Sequence, residues 1–207
     1  MFPELGTDRR WVLDGGFQPT HPRWSPDGTE IGFEAGDIVA AKVAELAWRP
    51  VFTAGLGGSP LTFDWSPDGR RVAVVRTWVE DGDLGPVYGR DIWIGSADGS
   101  TVLRRLTDPG TGWDPYRIAW SPDGRTLAVE ALGDLWAVDV RSGAVINLTA
   151  TAGVAESSPI WSPDGHTLAF ARQGADDAAP RLWLRPARSH GDAGRRLGIA
   201  GIPTSWH

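Results

Sequence analysis

The chain has 207 residues, 41% of them hydrophobic, a net charge of −6 and no cysteine. That length allows one or two domains with a sizeable core, the lack of cysteine excludes disulfides and thiolate metal sites, and no apolar run reaches membrane-spanning length. Neither sign of charge is concentrated, since the arginine pairs at 9–10, 70–71, 104–105 and 195–196 are isolated, which argues against nucleic acid as a partner.

Twelve Trp stand beside a single Met, with 27 Gly and 16 Pro; such turn chemistry with many aromatics favours short strands over helices. Residues 1–6 lack a basic segment followed by an apolar run, so no signal peptide is read there. The first organised feature is Trp24-Ser25-Pro26-Asp27-Gly28, which returns at Trp65–Gly69, Trp120–Gly124 and Trp161–Gly165, with spacings of 41, 55 and 41 residues. Pro presets φ, Asp suits the next turn position, and Gly accepts the positive φ that returns the chain to a ladder. Each string therefore predicts a tight hairpin.

After each turn comes a strand in which two large apolar residues flank a small one: Ile31-Gly32-Phe33, Val72-Ala73-Val74, Leu127-Ala128-Val129 and Leu168-Ala169-Phe170. A small residue on one face suits close packing of another sheet. Third strands follow at Asp37-Ile38-Val39, Asp91-Ile92-Trp93, Asp134-Leu135-Trp136 and Arg181-Leu182-Trp183, and fourth strands end near Phe52, Leu106, Leu148 and Leu197. Residues 40–47, the best helix candidate, continue a strand more naturally. Four strands in about 41 residues match the ~40–45 of a propeller blade.

The predicted fold is all-β, a single β-propeller domain over 1–207 built of four-stranded antiparallel blades at about 21–54, 61–108, 116–150 and 157–199. A partial fifth blade is expected from 9–20 and 201–207, because Arg10–Leu13 reads as a third strand and Pro203–Trp206 as the start of an inner one. Two alternatives remain open at this point: imperfect ring closure, or a piece of a longer propeller. The longer second spacing places an insertion at Thr77–Gly89, between second and third strands, and a smaller one falls at Gln173–Pro180.

The string Trp-Ser-Pro-Asp-Gly, followed by a Leu-Ala-Phe-like strand and Asp-Ile-Trp, resembles the TolB-type propeller repeat, from about Arg10 to Trp206. That resemblance implies the fold; the role it implies, a protein-interaction hub in the cell envelope, does not follow from the motif alone. The chain departs from the six-bladed members in having fewer blades and no separate N-terminal domain. A periplasmic or envelope location follows only if the role extends to this chain; otherwise the cytoplasm is expected. The same repeat also forms the non-catalytic propeller of prolyl-oligopeptidase-type serine peptidases.

Chemistry is sparse. No Gly-x-Ser-x-Gly elbow is present, as a serine hydrolase of that type requires. His21, His166, His190 and His207 show no metal-ligand spacing, and Glu80–Asp83 lacks the pattern of a dedicated calcium loop. No cofactor, metal or catalytic residue is implied. The recurring Trp residues read as packing, whereas Trp78, Trp113 and Tyr116 do not recur and are expected in loops, where exposed aromatics serve binding. Strand direction puts the insertions, His21 and the stretch 113–117 on one face. Candidate binding residues are therefore His21, Asp64, Trp78, Trp113, Asp114, Tyr116 and Arg117, with Asp64 and Arg117 at the channel rim. The expected function is a non-enzymatic scaffold with a protein or peptide partner and a tendency to form a homodimer. The alternative is the propeller portion, or relic, of a prolyl-oligopeptidase-type peptidase; a carbohydrate-active propeller is disfavoured for want of clustered carboxylates and His.

Overall fold

A computed structural model describes residues 19–45, 47–52, 58–82, 85–101, 104–107, 112–187 and 194–205. Four antiparallel sheets of four strands follow one another along the chain, each a simple meander. The first holds β1 (Thr20–Trp24), β2 (Glu30–Glu34), β3 (Ile38–Lys42) and β4 (Ala47–Phe52). The second holds β5 (Pro60–Trp65), β6 (Arg71–Gly82), β7 (Gly85–Ser96) and β8 (Arg104–Arg105). The third runs through β9 (Pro115–Trp120), β10 (Thr126–Ala131), β11 (Asp134–Asp139) and β12 (Val145–Asn147). The fourth is β13 (Val154–Trp161), β14 (Thr167–Gly174), β15 (Arg181–Pro186) and β16 (Arg195–Ala200). No helix occurs among the described residues. Residues 1–18 and 206–207, on which most of the expected fifth blade rests, lie outside the described residues, and 201–205 carry no strand.

The four Ser-Pro-Asp-Gly turns are built alike. Each Ser hydroxyl donates to the Asp carboxylate two residues on, at 2.5–2.6 Å, and accepts the N–H five residues on, at 2.9–3.0 Å. The Gly of each turn has φ between 67° and 70°, a region open to Gly at no steric cost. The Ser hydroxyl, followed by the N–H two residues on, holds the carboxyls of Asp27, Asp68 and Asp164 below their ordinary range. Their contribution is complete above the unfolded value and lost as pH falls through the lowered one.

The motif tryptophans join sheet to sheet. Trp65 Nε1 donates to the carbonyl of Arg23 (3.4 Å), Trp120 to that of Asp64 (3.2 Å) and Trp161 to that of Ala119 (3.0 Å). Each acceptor is the residue just before the preceding sheet's own motif Trp. Three apolar cores lie at these joints: Ile38, Ala40 and Phe52 against Phe63, Trp65 and Val72; Ala73, Ile92 and Ile94 against Trp120, Leu127 and Val138; Ala128, Leu135 and Leu148 against Leu168 and Phe170. The small residue of the second strand sits where the next sheet comes nearest. A Cβ on Gly32 would lie 2.8 Å from the Phe63 ring and 3.0 Å from that of Trp65.

Neighbouring sheets are not identical. Ten residues after the motif Trp, the first and third sheets carry a carboxylate, Glu34 and Glu130, where the second and fourth carry Val75 and Ala171. One residue further on, the second and fourth carry buried arginines. Arg76 stacks on Trp93 at 4.5 Å, and Arg172 stacks on Trp183 at 4.2 Å while its Nε donates to Glu156 at 2.8 Å.

One expectation is corrected. The Thr77–Gly89 insertion is not a loop: β6 and β7 stay in register from Arg71↔Ser96 out to Gly82↔Gly85, forming one long hairpin arm. Trp78 is therefore a strand residue, with its ring packed over Gly89. The ladder between β6 and β7 pairs the inward-facing backbone groups of the insertion, which a free loop of that length does not.

Two outcomes are expected from these joints. Trp161→Phe keeps the ring but deprives the Ala119 carbonyl of its donor, and should cost about 0.5–1.5 kcal/mol in urea unfolding, whereas Trp24→Phe, on an exposed residue, should leave the stability of the single chain unchanged. Gly32→Val forces the Phe63 ring to move and should cost about 1–3 kcal/mol; an unchanged midpoint would mean that the first two sheets are not closely packed at this point.

Candidate functional site

The first strands of the four sheets are β1, β5, β9 and β13, and three of them, β1, β9 and β13, face one another at the channel. A cavity of about 410 Å³ opens there, lined by His21–Arg23, Arg117–Ala119, Ser158–Ile160 and Ile202–Thr204. The three residues before the motif Trp in the first, third and fourth sheets thus make one wall each. All four inner strands are bulged against their neighbours; in β1 and β13 the register shifts fall between Thr20 and Arg23 and between Ser157 and Ile160. His21 and Ser158 there have φ of 51° and 53°, although both precede proline, which ordinarily holds the preceding residue extended. Bulges re-aim side chains at such rims.

Buried carboxylates support this rim. Glu34 Oε2 accepts from Thr20 Oγ1 (3.2 Å) and lies 2.9 Å from His21 Nδ1. Glu130 Oε2 accepts the Ser158 N–H at 2.9 Å and lies 4.0 Å from Arg117 Nε. Burial raises the pKa of both, opposed by those partners. Asp64 ties three inner strands together: it lies on β5, 3.7 Å from Arg23 Nη1 of β1, and accepts the Trp120 N–H of β9 at 2.8 Å. Burial pushes its carboxyl up, against the pull of Arg23 and the Trp120 N–H.

A second cluster joins the channel mouth to the hairpin arm. Arg90, at the base of the arm, donates to Asp114 Oδ2 (3.2 Å) and lies over the exposed Tyr116 ring at 5.3 Å. Arg117 approaches the same ring at 5.9 Å and also lines the cavity. Beyond Arg90 the arm exposes Val79, Val87 and Tyr88. Of the expected site residues, Asp114, Tyr116 and Arg117 thus come together, His21 faces the same cavity, and Asp64 stands behind it as a clasp.

Two of the expected binding aromatics are placed differently. Tyr116 is exposed but belongs to β9 rather than to a loop. Trp113 is in an irregular segment but only 7% exposed; it belongs to the core between the second and third sheets and meets Trp136 edge-on at 6.1 Å. Its lack of recurrence reflects a gap filled at one joint only. Arg23, Arg90, Glu130 and Ser158 were missed. The Ser158-Pro159 step, matching His21-Pro22 three residues before a motif Trp, is the signal in the sequence that could have found Ser158.

No family model matches the chain. An uncharacterized peptidase of Bacillus subtilis, YuxL, is 35% identical over 135 residues, 59% of this chain and 19% of that protein. The Tol-Pal system protein TolB of Anaeromyxobacter dehalogenans is 33% identical over 101 residues, 45% of this chain and 20% of its own length. The chain spans about a fifth of the length of these curated relatives. Among solved structures, a TolB from Agrobacterium tumefaciens aligns with a TM-score of 0.70 at 23% identity, covering 89% of this chain and 63% of that one. In fold, the chain is a TolB-like β-propeller.

Asp64 gives the site a pH signature. Its proton is held above the ordinary value of 3.8, so its stabilising contribution is full below that value and lost as pH rises through the folded pKa. Asp64→Asn should therefore gain stability relative to the wild type as pH climbs, in urea unfolding from about pH 3.5 to 7; parallel curves would show that Asp64 titrates normally.

Proposed function

We propose that this chain is a non-enzymatic binding propeller whose partner is a protein or peptide segment held between the hairpin arm and the channel mouth. The observation that carries this reading is Arg90, which joins the two through Asp114 and Tyr116. The surface is therefore continuous: the arm offers Val79, Val87 and Tyr88, the rim offers Tyr116, and the cavity offers Arg23 and Arg117 among Pro22, Ile118, Pro159 and Ile160. Exposed aromatics and arginine beside an apolar hollow are the side chains that dominate protein recognition. The cationic pair favours a segment carrying carboxylates.

The second reading, the propeller portion of a prolyl-oligopeptidase-type serine peptidase, draws on the similarity to YuxL. Under it the channel mouth meters access to a hydrolase domain. A Gly-x-Ser-x-Gly elbow followed by Asp and His in the same reading frame is the finding that favours it over a free-standing scaffold.

Selection of peptides from a random display library against the wild-type chain tests the binding reading. Selected peptides should be enriched in acidic residues, and Tyr116→Ala with Arg117→Ala should weaken them at least tenfold, equivalent to about 1.4 kcal/mol. Selected peptides that bind the double variant equally well would remove the proposed surface.

A further inference from the structure

The three joints differ at the end where the Ser-Pro-Asp-Gly turns lie, opposite the hairpin arm. There the first two joints are closed by arginines. Arg71, the sixth residue after its motif Trp, lies over the Trp120 ring at 4.9 Å and donates through Nη2 to the Gly124 carbonyl at 3.5 Å. Arg104 of the same sheet donates to the Val140 carbonyl at 2.9 Å. One joint earlier, Arg49 holds the matching place on the fourth strand and donates to the Ala97 carbonyl at 2.7 Å. Its Nε and Nη2 donate to the two carboxylate oxygens of Glu30, the counterpart of Arg71. The motif Trp of each joint is covered, with Trp65 5% and Trp120 6% exposed.

At the joint between the third and fourth sheets, both positions lack a cation. Thr126 stands where Glu30 and Arg71 stand. Ile146 lies opposite Ala137 in the register that sets Arg49 opposite Ala40 and Arg104 opposite Ile94. Ile146 has no donor for the Ala187 carbonyl, which corresponds to those of Ala97 and Val140. An open cavity of about 330 Å³ occupies this place, lined by Thr126, Trp161, Gly165 and Ala187, with Asp123, Asp164 and His166 at its wall. Trp161 is partly exposed. The Ser162 hydroxyl, followed by the His166 N–H, holds the Asp164 carboxyl below its ordinary range, so the wall keeps a carboxylate at neutral pH.

We infer that this cavity binds an arginine side chain of a partner protein. A guanidinium is the group that closes the two preceding joints, and the cavity keeps what those groups meet: an indole face, the Gly carbonyl of the turn and the carbonyl after the third strand. A flat cation that stacks on a ring and donates in its own plane joins these three, which a compact ammonium does not. Asp123 and Asp164 add charge of the sign that draws such a group in. Arginine is enriched at protein interfaces, and a half-covered Trp beside an acceptor is a pocket for such an anchor. The site lies at the other end of the sheets from the hairpin arm and takes the opposite charge to the channel mouth, so the inference is independent of the surface proposed there.

NMR titration of the isotope-labelled chain with the blocked tripeptide acetyl-Gly-Arg-Gly-amide provides the test, read at the Trp161 Nε1–H and the Gly165 and Ala187 amides. These signals should shift saturably, with half-saturation in the millimolar range. The matching citrulline and lysine peptides should bind at least about tenfold more weakly. Thr126→Arg copies the second joint, so the chain fills its own cavity: the response to the peptide should be lost while the urea midpoint is kept or raised. Ile146→Arg, at a position 48% exposed, takes its place should Thr126→Arg fail to fold. Tyr116→Ala with Arg117→Ala should leave the titration unchanged, which separates this site from the channel mouth. The absence of a saturable shift at these signals overturns the inference. So does an equal response to the citrulline or lysine peptide, or a folded arginine variant that binds the peptide as well as the wild type.

Discussion

The structure depends on a bond that no single sheet can make. An indole N–H on the innermost strand reaches the inner-strand carbonyl of the sheet before it, at 3.0–3.4 Å in three successive joints. The second and third sheets carry apolar side chains on both faces, so each of them is covered twice. The Trp adds to that cover and ties the two inner strands together, because its polar end must find an acceptor once it is buried. The turn follows from the same requirement. Ser-Pro-Asp-Gly begins directly after the Trp, and its bonded Ser and Asp hold the second strand where its small residue admits the next sheet.

The channel inherits its chemistry from these joints. In the first three sheets the residue before the motif Trp lends its carbonyl to the next sheet. Asp64 turns that placement into a clasp across three inner strands. His21 and Ser158 bend out of the ladder just beyond, and Glu34 and Glu130 hold the bulges from behind. The rim is thus an outgrowth of what holds the sheets together, and its charged groups are partnered within the chain.

Much of this was legible in the sequence because the repeat is local. Turn chemistry, period-two strands and the small residue of the second strand are each set within a few residues, and they gave the four sheets and their antiparallel order. Trp78 and Trp113 were misplaced because their environment is not local. The insertion around Trp78 is a hairpin because both its strands pair to the end, and Trp113 is buried because Trp136 of its own sheet offers an edge to pack on. The partnership of Arg90 with Asp114 and Tyr116 joins residues from different sheets and has no signature in spacing. Asp64 and Arg117 were accessible because their distance from the motif Trp places them on inner strands.

The alternation of Glu34 and Glu130 with Arg76 and Arg172 bears on how such a chain can lengthen. Glu130 is satisfied by the Ser158 N–H, which is free only because the fourth sheet's inner strand is bulged. A copy of the third sheet placed after itself would bring Arg117 to the position from which the Ser158 N–H now donates to Glu130. Duplicating the third and fourth sheets together keeps every such partner. At this contact, then, the unit that a designed extension can repeat without loss is the third and fourth sheets together.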